Sequence, residues 1–165
     1  MSADNMGCGS SSGVSTGMPA DLTEKDKELV KSSWAKFNEG DVIADGAHIY
    51  YKLFEKAPEA KEKFGFAKDG EVSLENKQFK AHVRKVLDVF ESVVREIDQL
   101  EGLLPVLNDL GARHKSYGVP LKYYEILGSC IMYAWDRKLK MDADTKKAWG
   151  KLYGVVQTEM KKGNA

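Results

Sequence analysis

Between Asp21 and Lys162, apolar residues recur at every third or fourth position, the period of helices that bury one face. Thr23-Glu24-Lys25-Asp26 reads as a capping box ahead of Leu29, Val30, Trp34 and Phe37, so a first helix starts there. Gly40-Asp41 breaks and recaps the chain, and Val42, Ile43, Ile49, Tyr50, Leu53 and Phe54 make the next apolar face. Gly46 interrupts that face, which costs stability unless another backbone approaches closely. Ala57-Pro58 ends the helix, and Pro58 suits the first turn of a short one reaching about Lys63. Phe64-Gly65-Phe66, two aromatics that should point inward, leads into the loop Lys68-Asp69-Gly70.

The pattern predicts a long helix from about Leu74 to Ile97, with Phe79, His82, Val83, Val86, Phe90, Val93 and Ile97 on one face. Leu103, Leu107, Leu110 and His114 share the stripe of the following helix, which Gly118-Val119-Pro120 stops. Pro120 opens another, with Tyr124, Leu127, Ile131 and Trp135 inward. Asp142 or Asp144 caps a last helix carrying Trp149, Leu152, Tyr153, Val156 and Met160. No segment alternates apolar and polar residues as a half-buried strand does, and there is no internal repeat. The expected fold class is all-α.

Composition adjusts this picture only at the edges. At 165 residues, 42% apolar and 30% charged, the chain suits one globular domain with its own core. Lys+Arg and Asp+Glu balance at 25 each, so no polyanion is called for and no nucleic-acid partner is expected. The two cysteines, Cys8 and Cys130, form no disulfide framework and point to a reducing, cytoplasmic setting.

Residues 1–20 break the pattern. Gly7, Gly9, Ser10, Ser11, Ser12 and Gly13 make a stretch too poor in apolar surface to offset its ordering entropy. The expectation is a flexible tail over 1–20 and a folded domain over 21–165. The tail lacks the basic start and apolar run of a secretory signal. Its Met6-Gly7-Cys8-Gly9-Ser10-Ser11 fits the N-myristoylation pattern, with Cys8 placed for a second lipid. The chemistry requires Gly7 to be N-terminal, hence initiation at Met6; otherwise the match is a chance property of a Gly/Ser tail. Stable membrane association would need both chains, on Gly7 and on Cys8.

Two histidines, His82 and His114, fall on inward stripes. Each alone is explained equally well as a core histidine bonded to a backbone carbonyl. A zinc site is poorly supported, because HExxH and CxxC are absent. No Gly-x-Ser-x-Gly elbow or phosphate-cradling glycine loop appears. Haem suits the pattern better. Its flat face needs a broad apolar slot, its iron needs one neutral imidazole, and a second imidazole on the opposite side can ligate the iron or hydrogen-bond a gas.

At this point the chain resembles a globin from about Asp21 to Gly163. The resemblance is carried by Trp34, by Pro58 and Phe64 six apart, by Lys80-Ala81-His82-Val83-Arg84-Lys85-Val86-Leu87, and by Leu110-Gly111-Ala112-Arg113-His114. Within the family, Leu110-Gly111, His114, Gly118-Val119 and Ala148-Trp149 with Leu152-Tyr153-Gly154-Val155-Val156 are similar to the neuroglobin branch. The acylation-like tail is similar to the globin X lineage. The departures are Tyr50, where neuroglobin has a phenylalanine, Pro120 in place of a polar residue, and the extended N-terminus.

The resemblance implies a globin fold of about eight helices around haem b. It implies reversible binding of dioxygen or another diatomic gas, with both histidines on the iron when no gas is present. His114 is then the proximal ligand through its far nitrogen, its near N–H donating to a carbonyl around Leu110, and His82 is the distal residue. Phe64, Val86, Val119, Tyr124 and Leu127 wall the haem, and Lys85 sits at the rim within reach of a propionate. Tyr50 either donates a second hydrogen bond to the gas or fills the core with its hydroxyl bonded elsewhere. The alternative function is a membrane-tethered redox or sensing globin that reacts with nitric oxide or nitrite, or passes electrons from an unidentified reductase.

Overall fold

The computed structural model describes residues 17–68 and 71–165. The acylation-like motif with Gly7 and Cys8, and the loop residues Asp69 and Gly70, lie outside the described residues. Among the described residues there are seven α-helices, three 3₁₀ segments and no β-strand.

Local capping sets most helix starts. Thr23 and Asp26 exchange hydrogen bonds with each other's backbone N–H, opening α1 (Glu24–Phe37). The Asp41 carboxylate accepts from Ala44 N–H to open α2 (Val42–Lys56). Pro58 begins a 3₁₀ segment (Pro58–Lys63), and a single turn, α3 (Gly65–Lys68), follows. Of the two aspartates proposed as caps for α7 (Ala143–Asn164), Asp142 is the one used, accepting from Thr145 N–H at 2.8 Å.

Three boundaries differ from the sequence reading. The long helix α4 (Lys77–Arg95) starts at Lys77 and not at Leu74, because the Asn76 side chain caps it through Gln78 and Phe79 N–H. After Arg95 the chain tightens into a 3₁₀ segment (Ile97–Leu103), with Gln99 outside helical geometry, before α5 (Leu104–Ser116). Helix α6 (Lys122–Leu139) begins two residues after Pro120, whose carbonyl accepts from Tyr123 N–H.

The residues given to the tail also have described neighbours: Pro19–Asp21 form a 3₁₀ turn that packs on α7.

The helices pack as α5 along α7, α2 on α6, and α1 against α7 and α6. The centre is aromatic. Trp34, Phe37, Phe90, Trp135 and Trp149 interlock, the closest pair being Phe37 and Trp135 at 4.3 Å between ring centroids. The one polar atom of Trp149 is satisfied by donating to Ser33 Oγ at 2.8 Å.

Gly46 is explained by crowding, but by side chains and not by a second backbone. A Cβ there would lie 2.9 Å from Leu87 Cδ1 and 3.1 Å from Val83 Cγ1, so α4 nests directly onto α2. The close backbone approach lies elsewhere, in the α5–α7 seam. A Cβ on Gly111 would lie 2.7 Å from the carbonyl carbon of Met160, and one on Gly163 would lie 2.8 Å from that of Asn108.

Candidate functional site

Each helix that carries a candidate histidine divides its apolar surface in two. On α4, Phe79, Val83, Leu87 and Phe90 are buried, while His82 and Val86 are half-buried on the flank. On α5, Leu107 and Gly111 are buried, in the helix that lies along α7, while Leu110 and His114 are half-buried beside them. The sequence reading placed Leu107, Leu110 and His114 on one inward stripe. The structure assigns the first to the core and leaves the other two beside it.

α4 packs on α2, α1 and α3, and α5 packs on α7; the two meet through the 3₁₀ segment between them and do not lie against each other. Their half-buried residues are therefore apolar surface that neither helix covers for the other.

His114 Nδ1 lies 2.8 Å from the Leu110 carbonyl. A carbonyl only accepts, so Nδ1 carries a proton, and in the neutral ring Nε2 is then the nitrogen with the lone pair. This is the hydrogen bond expected from the resemblance. His82 is bounded by aromatic rings: Tyr50, Phe64 and Phe66 have centroids 5.0, 5.3 and 5.4 Å from its own. Its pKa is pushed down to about 4, first by burial and then by the nearby charges of His114 and Lys85. At neutral pH His82 is uncharged, which is the ligating form of imidazole.

The remaining candidates fall around these two. Phe64, Val86, Val119 and Leu127 are half-buried, and the Tyr124 ring stands 6.2 Å from that of His114. Lys85 is exposed and makes no ion pair among the described residues. Tyr50 is buried, and burial raises its hydroxyl pKa well above the usual range. Its hydroxyl lies 2.9 Å from His82 Nε2, as in the core-filling alternative with the hydroxyl bonded elsewhere, which had named no partner.

Sequence reasoning also missed Asn164. Its Nδ2 donates to the Val119 carbonyl at 3.1 Å and to the Tyr124 hydroxyl at 2.9 Å, tying the end of α7 to the wall beside His114. A lone asparagine near the C-terminus carries no pattern that could have flagged it.

The donor set tests what fits. Among the described residues, no three His, Cys, Asp or Glu side chains converge as a cage for a bare metal ion. What the flanks of α4 and α5 offer is one half-buried imidazole each, His114 with Nδ1 bonded to the Leu110 carbonyl, beside half-buried Phe, Val and Leu. Those residues fit a flat, largely apolar macrocycle that brings its own equatorial ligands.

The globin family model matches residues 47–160, a span that includes α4, α5 and both histidines. The chain belongs to the globin family. It is similar to neuroglobin from Chaenocephalus aceratus, 31% identical over 147 residues, which are 86% of this chain and 92% of that one. It is also similar to neuroglobin from Tetraodon nigroviridis and neuroglobin-1 from Oncorhynchus mykiss, each 30% identical over the same shares of both chains. This globin is thus neuroglobin-like, with the globin fold, and is a haem protein that binds diatomic gases such as dioxygen. Among the described residues, no helix is long and apolar enough to cross a membrane.

Proposed function

We propose that this globin holds haem b between α4 and α5, with His114 Nε2 as the permanent axial ligand and His82 as a second, displaceable one when no gas is present. The observation that carries the reading is the bond from His114 Nδ1 to the Leu110 carbonyl, which makes Nε2 the lone-pair nitrogen of the neutral ring. When bound, haem would supply an iron that binds a diatomic gas reversibly.

The residues divide the remaining work. Phe64, Val86, Val119, Tyr124 and Leu127 present the apolar walls that keep water from the metal. Lys85, exposed at the rim, pairs with a propionate in a contact worth under about 1 kcal/mol. The depressed pKa of His82 keeps its imidazole neutral and available as a ligand. A gas enters only while His82 is displaced, so apparent affinity is the intrinsic affinity scaled by the open fraction.

Reduced, gas-free absorption spectra test this. His114→Ala should lose haem. His82→Ala should keep it and exchange two sharp visible bands for one broad band. A His82→Ala spectrum identical to that of the parent protein would refute the distal assignment.

A second reading, a lipid-tethered redox globin that reacts with nitric oxide or nitrite at a cytoplasmic membrane face, is favoured by the Met6-Gly7-Cys8 motif. Intact-mass measurement of the protein from cells checks it: acyl mass on Gly7 and Cys8 supports the tether, and an unmodified Met1 or Ser2 terminus removes it.

A further inference from the structure

Tyr50 is 2% exposed, and among the described residues its hydroxyl has a single hydrogen-bond partner, His82 Nε2 at 2.9 Å. Everything else around it is poor in acceptors. The rings of Phe54, Phe64, Phe66 and Phe79 surround it at 5.6–6.5 Å between centroids, mostly edge-on. Two further polar groups lie within electrostatic reach, the buried Cys130 thiol, a weak acceptor, and the Tyr153 hydroxyl, which donates to the Tyr124 carbonyl; neither is hydrogen-bonded to Tyr50. Two polarities satisfy the contact: the phenol donates into the Nε2 lone pair, or Nε2–H donates to the phenol oxygen. Either way Nε2 is occupied, and it is the nitrogen that His82 would offer to a metal.

We propose that Tyr50 is a latch on the distal imidazole, its hydroxyl competing with iron for His82 Nε2 and so setting how often the gas site stands open. This makes Tyr50 a positioning residue. It rests on the reading of His82 as the displaceable axial ligand. When His82 turns to the metal, the Tyr50 hydroxyl stays behind in an aromatic cage with no good acceptor. That desolvated, unpaired hydroxyl penalises the ligated state by about tenfold, equivalent to about 1.4 kcal/mol. In the open state the same hydroxyl parks His82, leaving less of it free to donate to the gas.

Tyr50→Phe keeps the ring and its edge contacts and deletes only the oxygen. The equilibrium constant for His82 ligation should then rise about tenfold. Flash photolysis of carbon monoxide from the reduced protein reads it directly, because His82 competes with the gas after the flash. The slow, His82-limited phase should grow in amplitude, and equilibrium gas affinity should fall. The reduced, gas-free spectrum should shift toward two sharp visible bands.

If Tyr50→Phe instead leaves the partition between fast and slow phases unchanged and only speeds gas dissociation, the hydroxyl serves the gas and the latch is overturned. A smaller slow phase overturns it too. His82→Ala alone in the same assay separates the two layers: no change from the parent protein removes the distal reading itself, whereas loss of the slow phase with an unaltered Tyr50→Phe removes only the latch. A matching urea midpoint for Tyr50→Phe confirms that the comparison is between equally folded proteins.

Discussion

Replacing Gly111 by alanine sets two effects of opposite sign against each other. Alanine favours a helix interior by about 1 kcal/mol over glycine. Its methyl, however, would sit 2.7 Å from the carbonyl carbon and 2.9 Å from the Cα of Met160, where carbon–carbon contacts ordinarily lie near 3.5–4.0 Å. The opposing atoms are backbone of α7, so no rotamer change relieves the overlap. α5 must move away by about 1 Å, loosening the seam that Leu107 packs into. Overpacking of this kind costs about 3 kcal/mol or more where both sides are rigid. The net expectation is a loss of about 2 kcal/mol, or roughly 4–8 °C in Tm for a chain of this size. Urea denaturation of the haem-free protein, followed by far-UV circular dichroism, measures it without the departure from two-state behaviour that a bound cofactor brings. Gly102→Ala is the control: nothing lies within 4 Å of its Cβ position and its φ is not positive. That change should be neutral or stabilising by about 0.5 kcal/mol. If Gly111→Ala is as stable as the parent protein, close backbone contact does not govern the α5–α7 seam and the reasoning fails.

The haem-free protein should lose stability in acid through His82. Its folded pKa of about 4 lies below the ordinary 6.5, so the unfolded chain takes up a proton that the fold refuses. Stability is therefore full above pH 6.5 and falls by roughly 3 kcal/mol as the pH drops toward 4. Urea midpoints across that range should flatten in His82→Gln; an unchanged slope would assign the acid sensitivity to other groups. Asn164→Ala deletes the donor to Val119 and Tyr124 and should cost about 2 kcal/mol. By loosening the wall beside His114 it should also speed haem transfer to an acceptor protein, and an unchanged transfer rate would make the network purely structural.

What the sequence settled by itself was most of what acts within a few residues. The Thr23 and Asp41 caps, the Pro58 turn and the three-to-four-residue stripes are local chemistry, and the last cap was narrowed to Asp142 or Asp144, of which the fold uses Asp142. The same periodicity picked out His82 and His114, because an imidazole on an apolar stripe is visible in one dimension. Even locally one cap went unread: Asn76, which displaced the start of α4 by three residues.

Tertiary structure decided what depends on partners distant along the chain. Whether Leu110 and His114 enter the core or flank an open seam turns on α5 lying against α7 and not α4. Gly111 carries meaning only beside the Met160 backbone, and Asn164 only beside Val119 and Tyr124. The Tyr50 hydroxyl needed α2 and α4 to cross at Gly46 before it had a partner at all. Helical periodicity states which face a residue occupies. Which other helix covers that face is a packing outcome, and the proposed site draws on the flanks of α4 and α5 that do not pack on each other.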